Sequence, residues 1–315
     1  MHQTPQPSSS SLAFYRYLPV SPEATQWGAY VTTAGYAAVE PHAPYPPHTH
    51  PTGHHFTWAK GRILTSFQFI YIAHGRGEFE SVPGGHQLVE AGDLIVLFPD
   101  VWHRYRPDPE TGWDEHWLEL DGDYIRTLMR RPEFTPERPV LQLGHVPELL
   151  QAYETACELL RREPAGYQFQ LGAQAVQVLA LTLSAIKQKN WSGKPAAELI
   201  REARNALARP GNQHLRLEEM ARKHNMSCTN FRRLFKAQTG FAPHQFAMQI
   251  TVGRARDLLY NTTLPVSHIA QTLGFNSIFY FSRFFKKQTG LAPADYRRRK
   301  TGYPIPTEGT ATSIL

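Results

Sequence analysis

The sequence predicts an α+β protein: an N-terminal antiparallel β-barrel, a pair of linker helices, and an all-α C-terminal third built from a repeated helical unit. Three observations carry this prediction. Between Trp58 and Trp117 the chain runs in short β-rich segments broken by Gly and Pro; residues 145–190 show helical periodicity; and "NFRRLFKAQTGFAPHQF" at Asn230 recurs fifty positions later as "YFSRFFKKQTGLAPADY". With 315 residues, 41% hydrophobic and 12% aromatic, the chain can bury two or three cores. It has no run of eighteen or more apolar residues, and "MHQTPQPSSSSLAF" lacks the basic and apolar regions of a signal peptide, so a cytoplasmic protein with no membrane segment is expected. Its two cysteines, Cys157 and Cys228, suggest neither a disulfide framework nor a zinc site.

The expected organisation is an arm over residues 1–27, the barrel over 28–125, the helical linker over 126–194, the repeated module over 195–300 and a tail over 301–315. In the barrel, "ILTSFQFIYIAHGRGEFES", "GHQLVEAGDLIVLFP" and "HWLEL" read as strands, with Ala91-Gly92-Asp93 as a turn and Pro99 to His103 as a second turn. In the linker, Leu149, Leu150, Tyr153, Ala156, Cys157 and Leu160 form one apolar stripe and Val176, Leu179, Leu183 and Ile186 another, as in an antiparallel helix hairpin. These helices are expected to pack on the barrel, to form a dimer surface, or both. "QKNWSGKP" reads as the interdomain linker.

Residues 195–300 hold 18 Lys/Arg against 6 Asp/Glu, while the whole chain carries only +6. The module is therefore basic and the rest acidic, the asymmetry of a polyanion-binding unit joined to something with another task. At an offset of fifty, Ser227 pairs with Ser277, Phe231 with Phe281, Arg233 with Arg283, Phe235 with Phe285, Lys236 with Lys286 and Gly240 with Gly290. On a 100° wheel Phe231, Leu234, Phe235 and Gln238 form an inner face, with Thr229, Arg232, Arg233 and Lys236 opposite. Ser227 reads as an N-cap, Gly240 as the left-handed C-terminal residue and Pro243 as a stop. Each copy follows a shorter helix, "LEEMARKH" or "VSHIAQTL", across a joint at Asn225 or Gly274, residue types that tolerate positive φ. Helix, left-handed turn and basic-faced helix make the helix-turn-helix plan, present twice.

The second copy, "IAQTLGFNSIFYFSRFFKKQTGLAPADYR", resembles the C-terminal signature of AraC/XylS-family transcription regulators at Ile269, Ala270, Leu273, Gly274, Phe275, Tyr280, Phe281, Arg283, Phe285, Lys286, Gly290, Pro293, Tyr296 and Arg297. The resemblance covers residues 195–300 and implies double-stranded DNA as partner, with one recognition helix per copy in successive major grooves. Carried onto the wheel, its DNA-facing positions are Thr229, Arg232, Arg233 and Lys236 in the first helix and Phe279, Ser282, Arg283 and Lys286 in the second. Phe279 either packs against a thymine methyl or tucks inward.

"FQFIYIAHGRGEFE" followed by "AGDLIVLFPDVWHRYRPDPETGW" resembles the cupin-type effector domain found in front of many AraC regulators. Metal-binding cupins carry a His-x-His, a Glu and a further His; here Arg62 and Gln68 stand where ligands would be expected, so neither metal nor other cofactor is expected. The cluster His48, His50, His54 and His55 reads as a solvated arm or loop, with a metal site or a direct effector contact by His55 as alternatives. The resemblance implies a small effector, a sugar or related metabolite, for which Trp58, Arg62, Tyr71, His103, Tyr105, Trp113, Glu115 and Trp117 are candidate contacts, since sugars present apolar ring faces and a rim of hydroxyls. The expectation is a non-enzymatic, effector-controlled transcription regulator, homodimeric and in contact with RNA polymerase when it activates. The alternatives are a metal-dependent cupin enzyme with an appended helical region and a constitutive DNA-binding protein whose barrel is a dimerisation scaffold.

Overall fold

The computed structural model describes residues 13–46, 57–189, 194–211 and 217–299. The chain divides into two compact units, residues 1–190 and 191–315.

The first unit runs β1 (Ala13–Tyr17), α1 (Pro22–Trp27), β2 (Tyr30–Val39), β3 (Phe67–Ser81), β4 (Gly85–Glu90), β5 (Asp93–Leu97), β6 (His103–Pro107), β7 (Trp113–Asp121), α2 (Asp123–Met129), β8 (Val140–Gln142), α3 (Pro147–Arg162) and α4 (Tyr167–Lys189). All strand pairs are antiparallel. The main sheet has the order β1-β2-β7-β3-β5-β8. β3 serves two layers: Phe67 to Gly75 pair with β7 and β5, whereas Arg76 to Ser81 pair with β4 and β6. The change falls at Gly75, at φ +79°, where a Cβ would lie 2.2 Å from the Gly112 carbonyl oxygen, so only glycine fits the crossing.

The expected barrel is corrected to an open layered sheet. Among the described residues β1 pairs only with β2 and β8 only with β5, so the main sheet does not close on itself. Layering replaces closure because the main sheet is apolar on both faces. Ile70, Ile72, Ile95, Leu97 and Trp117 enter a core with Phe79, Val89 and Tyr105. Their strand neighbours Phe69, Tyr71, Leu94, Val96 and Leu118 enter a second core beneath α3 and α4. Alternate residues of "FQFIYI" and "DLIVL" thus bury against different partners, which explains their unbroken apolar character.

The linker helices pack on this sheet. Leu149, Tyr153, Ala156 and Leu160 of α3 are fully buried, as are Leu171, Ala175, Val178 and Leu179 of α4; Val176, Leu183 and Ile186 flank the same core. α4 is long and apolar enough to cross a membrane, but here its buried stripe covers the sheet. Ala13 to Tyr17, within the segment expected to be an arm, form the edge strand β1.

The second unit runs α5 (Lys194–Leu207), α6 (Leu217–Lys223), α7 (Cys228–Thr239), α8 (Pro243–Asn261), α9 (Val266–Thr272), α10 (Ile278–Thr289) and α11 (Pro293–Arg298). It has two cores. Leu199, Ala203, Met220, Phe231, Phe235 and Ala247 form the first; Ala255, Leu259, Ile269, Leu273, Phe281 and Phe285 form the second. The sequence repeat recurs in the backbone: Asn225 and Gly274 both take positive φ, +52° and +82°, between the paired helices. α7 and α10 both end on a left-handed glycine whose N–H donates to the Lys236 or Lys286 carbonyl. Thr239 and Thr289 then donate to the Phe235 and Phe285 carbonyls at 2.7 and 2.8 Å.

Candidate functional site

On α7, Thr229, Arg232, Arg233 and Lys236 are all exposed, opposite the buried Phe231, Leu234 and Phe235. Arg233 donates to Asn230 Oδ1 at 3.0 Å, and Arg232 lies 3.9 Å from Glu218 on α6. On α10, Phe279, Arg283 and Lys286 are exposed and Ser282 is half-buried. Phe279 points outward with 77% of its surface exposed, so it does not tuck inward. The helical repeat therefore gathers each set of four on one solvent-facing side of its helix, a donor-rich surface around one apolar ring.

In the first unit a cavity lies between the two sheet layers and β1. Of the nine residues singled out from the sequence, Arg62, Tyr105, Glu115 and Trp117 line it. His103 and Trp113 support the wall from behind. His103 Nδ1 donates to the Val101 carbonyl at 2.9 Å, leaving Nε2 to accept from Arg62 Nε at 3.2 Å. Burial, reinforced by the Arg62 charge, pushes this imidazole down to about 3, so it is neutral. Arg62 also donates to Gln68 at 2.9 Å and Tyr105 at 2.6 Å, which fixes its guanidinium. Trp113 meets Tyr45 edge-on at 5.9 Å.

Two others, Tyr71 and Trp58, stand elsewhere. Strand alternation turns Ile70 toward the cavity and Tyr71 to the helices, where it stacks on Tyr153 at 6.5 Å and bonds to Gly144 and Val146. Arg104 and Arg106 cover the Trp58 ring at 4.3 and 4.0 Å, away from the cavity lining. His55 lies outside the described residues, with His48, His50 and His54. Among the described residues no group of three or more His, Cys, Asp or Glu side chains converges on a metal position.

Tyr15, Tyr17, Tyr45, Gln68 and Glu119 also line the cavity, although their sequence positions did not mark them as effector contacts. A signal existed for the last: Glu115, Trp117 and Glu119 follow the two-residue period of one strand face. Tyr45 donates to Glu115 at 3.1 Å. Burial raises the Glu115 carboxyl to about 7 and outweighs the opposing Tyr45 bond and Arg62 charge. Ser66 donates to Glu119 at the cavity's other end. The wall thus combines a fixed cation, two carboxyl groups, several phenols and an indole face.

A concave, polar-rimmed cavity in one unit and two cationic recognition-type helices in the other define an effector-controlled, DNA-binding transcription regulator. Comparison with known proteins agrees. Residues 34–179 match the AraC-like ligand binding domain and residues 220–299 a helix-turn-helix domain. The chain is 31% identical over 232 residues to the HTH-type transcriptional activator RhaR of Mannheimia succiniciproducens, covering 67% of this chain and 83% of that one. It is 29% identical over 236 residues to the MmsAB operon regulatory protein of Pseudomonas aeruginosa, covering 73% of this chain and 74% of that one. The lactose operon transcription activator of Staphylococcus xylosus is 23% identical over 229 residues, covering 72% and 81%. The chain belongs to the AraC family.

Proposed function

We propose that the cavity binds a small polyhydroxylated effector, a sugar or related metabolite, and that binding changes how the two helix-turn-helix motifs engage DNA. The observation that carries this reading is the lining: Arg62 held by His103, Gln68 and Tyr105 faces Glu115 and Glu119 across aromatic walls. A ring hydroxyl both donates and accepts, so it matches a carboxylate and a guanidinium at once, while Trp117 and Tyr15, stacked at 6.5 Å, offer an apolar face. DNA is contacted by Thr229, Arg232, Arg233 and Lys236 of α7 and by Phe279, Ser282, Arg283 and Lys286 of α10. Arginine suits bidentate contact with guanine and lysine a point contact with phosphate. The protein acts in the cytoplasm as a homodimer, contacts RNA polymerase when it activates, and does no chemistry on its effector. Control follows from differential affinity: the effector shifts an equilibrium only as far as it binds one arrangement better than another.

The test is a melting-temperature screen of the full chain against monosaccharides, sugar acids and polyols. A bound effector raises the melting temperature by linkage, and Trp117→Ala abolishes the rise. If no polyhydroxylated compound raises it while the chain still selects a DNA sequence from random duplexes, the unit is a scaffold and the effector reading fails.

A further inference from the structure

The DNA-facing stripe of α10 borders a second one. Tyr280, Arg283, Lys287 and Gln288 turn toward His244 and Thr251 in the first half of α8, and the two helices enclose a notch with an apolar floor. Ala247 of that floor belongs to the first motif's core, and Phe284 packs on the second motif's core. The notch therefore lies on the seam between the two motifs.

Its chemistry is one-sided. Three basic side chains line it and no carboxylate does. Several arginines elsewhere meet acids, among them Arg76 with Asp108, Arg104 with Glu80, Arg126 with Asp121, and Arg232 with Glu218 in this same unit. Among the described residues no ion pair joins His244, Arg283 or Lys287 to an acid. Gathering the Arg283 and Lys287 charges in a concavity raises the free energy of the empty module and raises the affinity of an anion that enters. Arginine, lysine, a phenol and a glutamine amide all donate, and a phosphate accepts on every oxygen.

We propose that this notch is a phosphate seat, filled by a backbone phosphate of the DNA segment between the two half-sites. The assignment rests on the DNA-contact reading above. Recognition helices one helical turn apart leave an intervening stretch of duplex whose backbone passes the seam. A phosphate held there ties α8 to α10 and fixes the spacing of the motifs. Arg283, shared by both stripes, sits where base contact and backbone contact meet.

The experiment uses the full chain and a duplex selected by it from a random library. Neutral methylphosphonates replace single phosphates of the intervening segment. One such replacement should weaken the wild type roughly three- to tenfold at ~0.15 M salt yet leave Lys287→Ala nearly unchanged, because the contact is already lost. Lys287→Ala should lower the slope of log affinity against log salt by about 0.9 and keep the base-preference profile. A second arm measures melting with inorganic phosphate and no DNA. A rise that Lys287→Ala and His244→Ala abolish, without a methylphosphonate effect, supports the seat and assigns it to free phosphate. Equal responses of wild type and both variants in both arms overturn the proposal. If the chain selects no duplex at all, the DNA-contact reading fails while the phosphate arm still tests the seat.

Discussion

Glu115 shows how far burial shifts the chemistry of one residue. Its carboxyl rises from 4.5 to about 7 because it is desolvated, despite Tyr45 and Arg62 nearby. An acid whose folded value is raised holds a proton in the native state that the unfolded chain has already released. Its stabilising contribution is therefore complete below about 4.5 and is lost as pH rises toward and through 7. The loss should approach about 3 kcal/mol. Urea melts from pH 5 to 8 should show wild-type stability falling and Glu115→Gln flattening the fall; parallel pH profiles would mean that Glu115 is ionised throughout. In the second unit, Arg233→Ala should cost roughly 1 to 3 kcal/mol of specific DNA binding and relax preference at one base, whereas Lys236→Ala should weaken all sequences about equally. Binding to a randomised duplex pool checks both, and an unchanged profile for Arg233→Ala would remove it from base readout.

The repeated elements are near copies with local differences, and these can be tested against each other. Ser227 accepts a bond from the Asn230 N–H at 3.3 Å at the start of α7, while Ser277 makes no side-chain cap at the start of α10. Ser227→Ala should therefore cost about 1 kcal/mol and Ser277→Ala distinctly less. Chemical denaturation of the second unit's transition measures the difference. At the turns the order of tolerance follows φ and space. Gly274 has φ +82°, and a Cβ there would sit 2.3 Å from Gly211 Cα. Gly274→Val should destabilise the second motif by at least about 2 kcal/mol, while Asn225→Gly, at φ +52°, should be neutral or stabilising. Wild-type melting and DNA affinity in Gly274→Val would contradict the observed turn.

At the scale of the whole molecule the two units have separate cores and separate tasks. If both recognition helices enter the duplex, each bound chain should protect two major-groove segments roughly 10 to 10.5 base pairs apart. Inserting five base pairs between them rotates the second segment to the opposite face and should remove its share of affinity together with part of the salt slope. Footprinting of the two duplexes reads this directly. A footprint indifferent to the insertion would leave one motif as scaffold.

The helical module was legible from residue order because its information is local. Caps, left-handed turns and the 3.6-residue period act over a few positions, and duplication repeated them: Asn225, Gly240, Gly274 and Gly290 all take the positive φ their types allow. The strands of the first unit were legible for the same reason, as were Arg62, Tyr105, Glu115 and Trp117 as chemically suitable residues. Which of them share a cavity was decided by the tertiary fold. Tyr15 reaches Trp117, and Tyr45 reaches Glu115 70 positions further along the chain, only once β1, β2 and β7 pair, and a single step along β3 separates Ile70 in the cavity wall from Tyr71 under the helices. The unclosed sheet, in place of a barrel, has the same origin. Apolar residues on both faces of a strand record that both faces are buried, but what covers each face, another strand layer or a pair of helices, is settled by long-range packing.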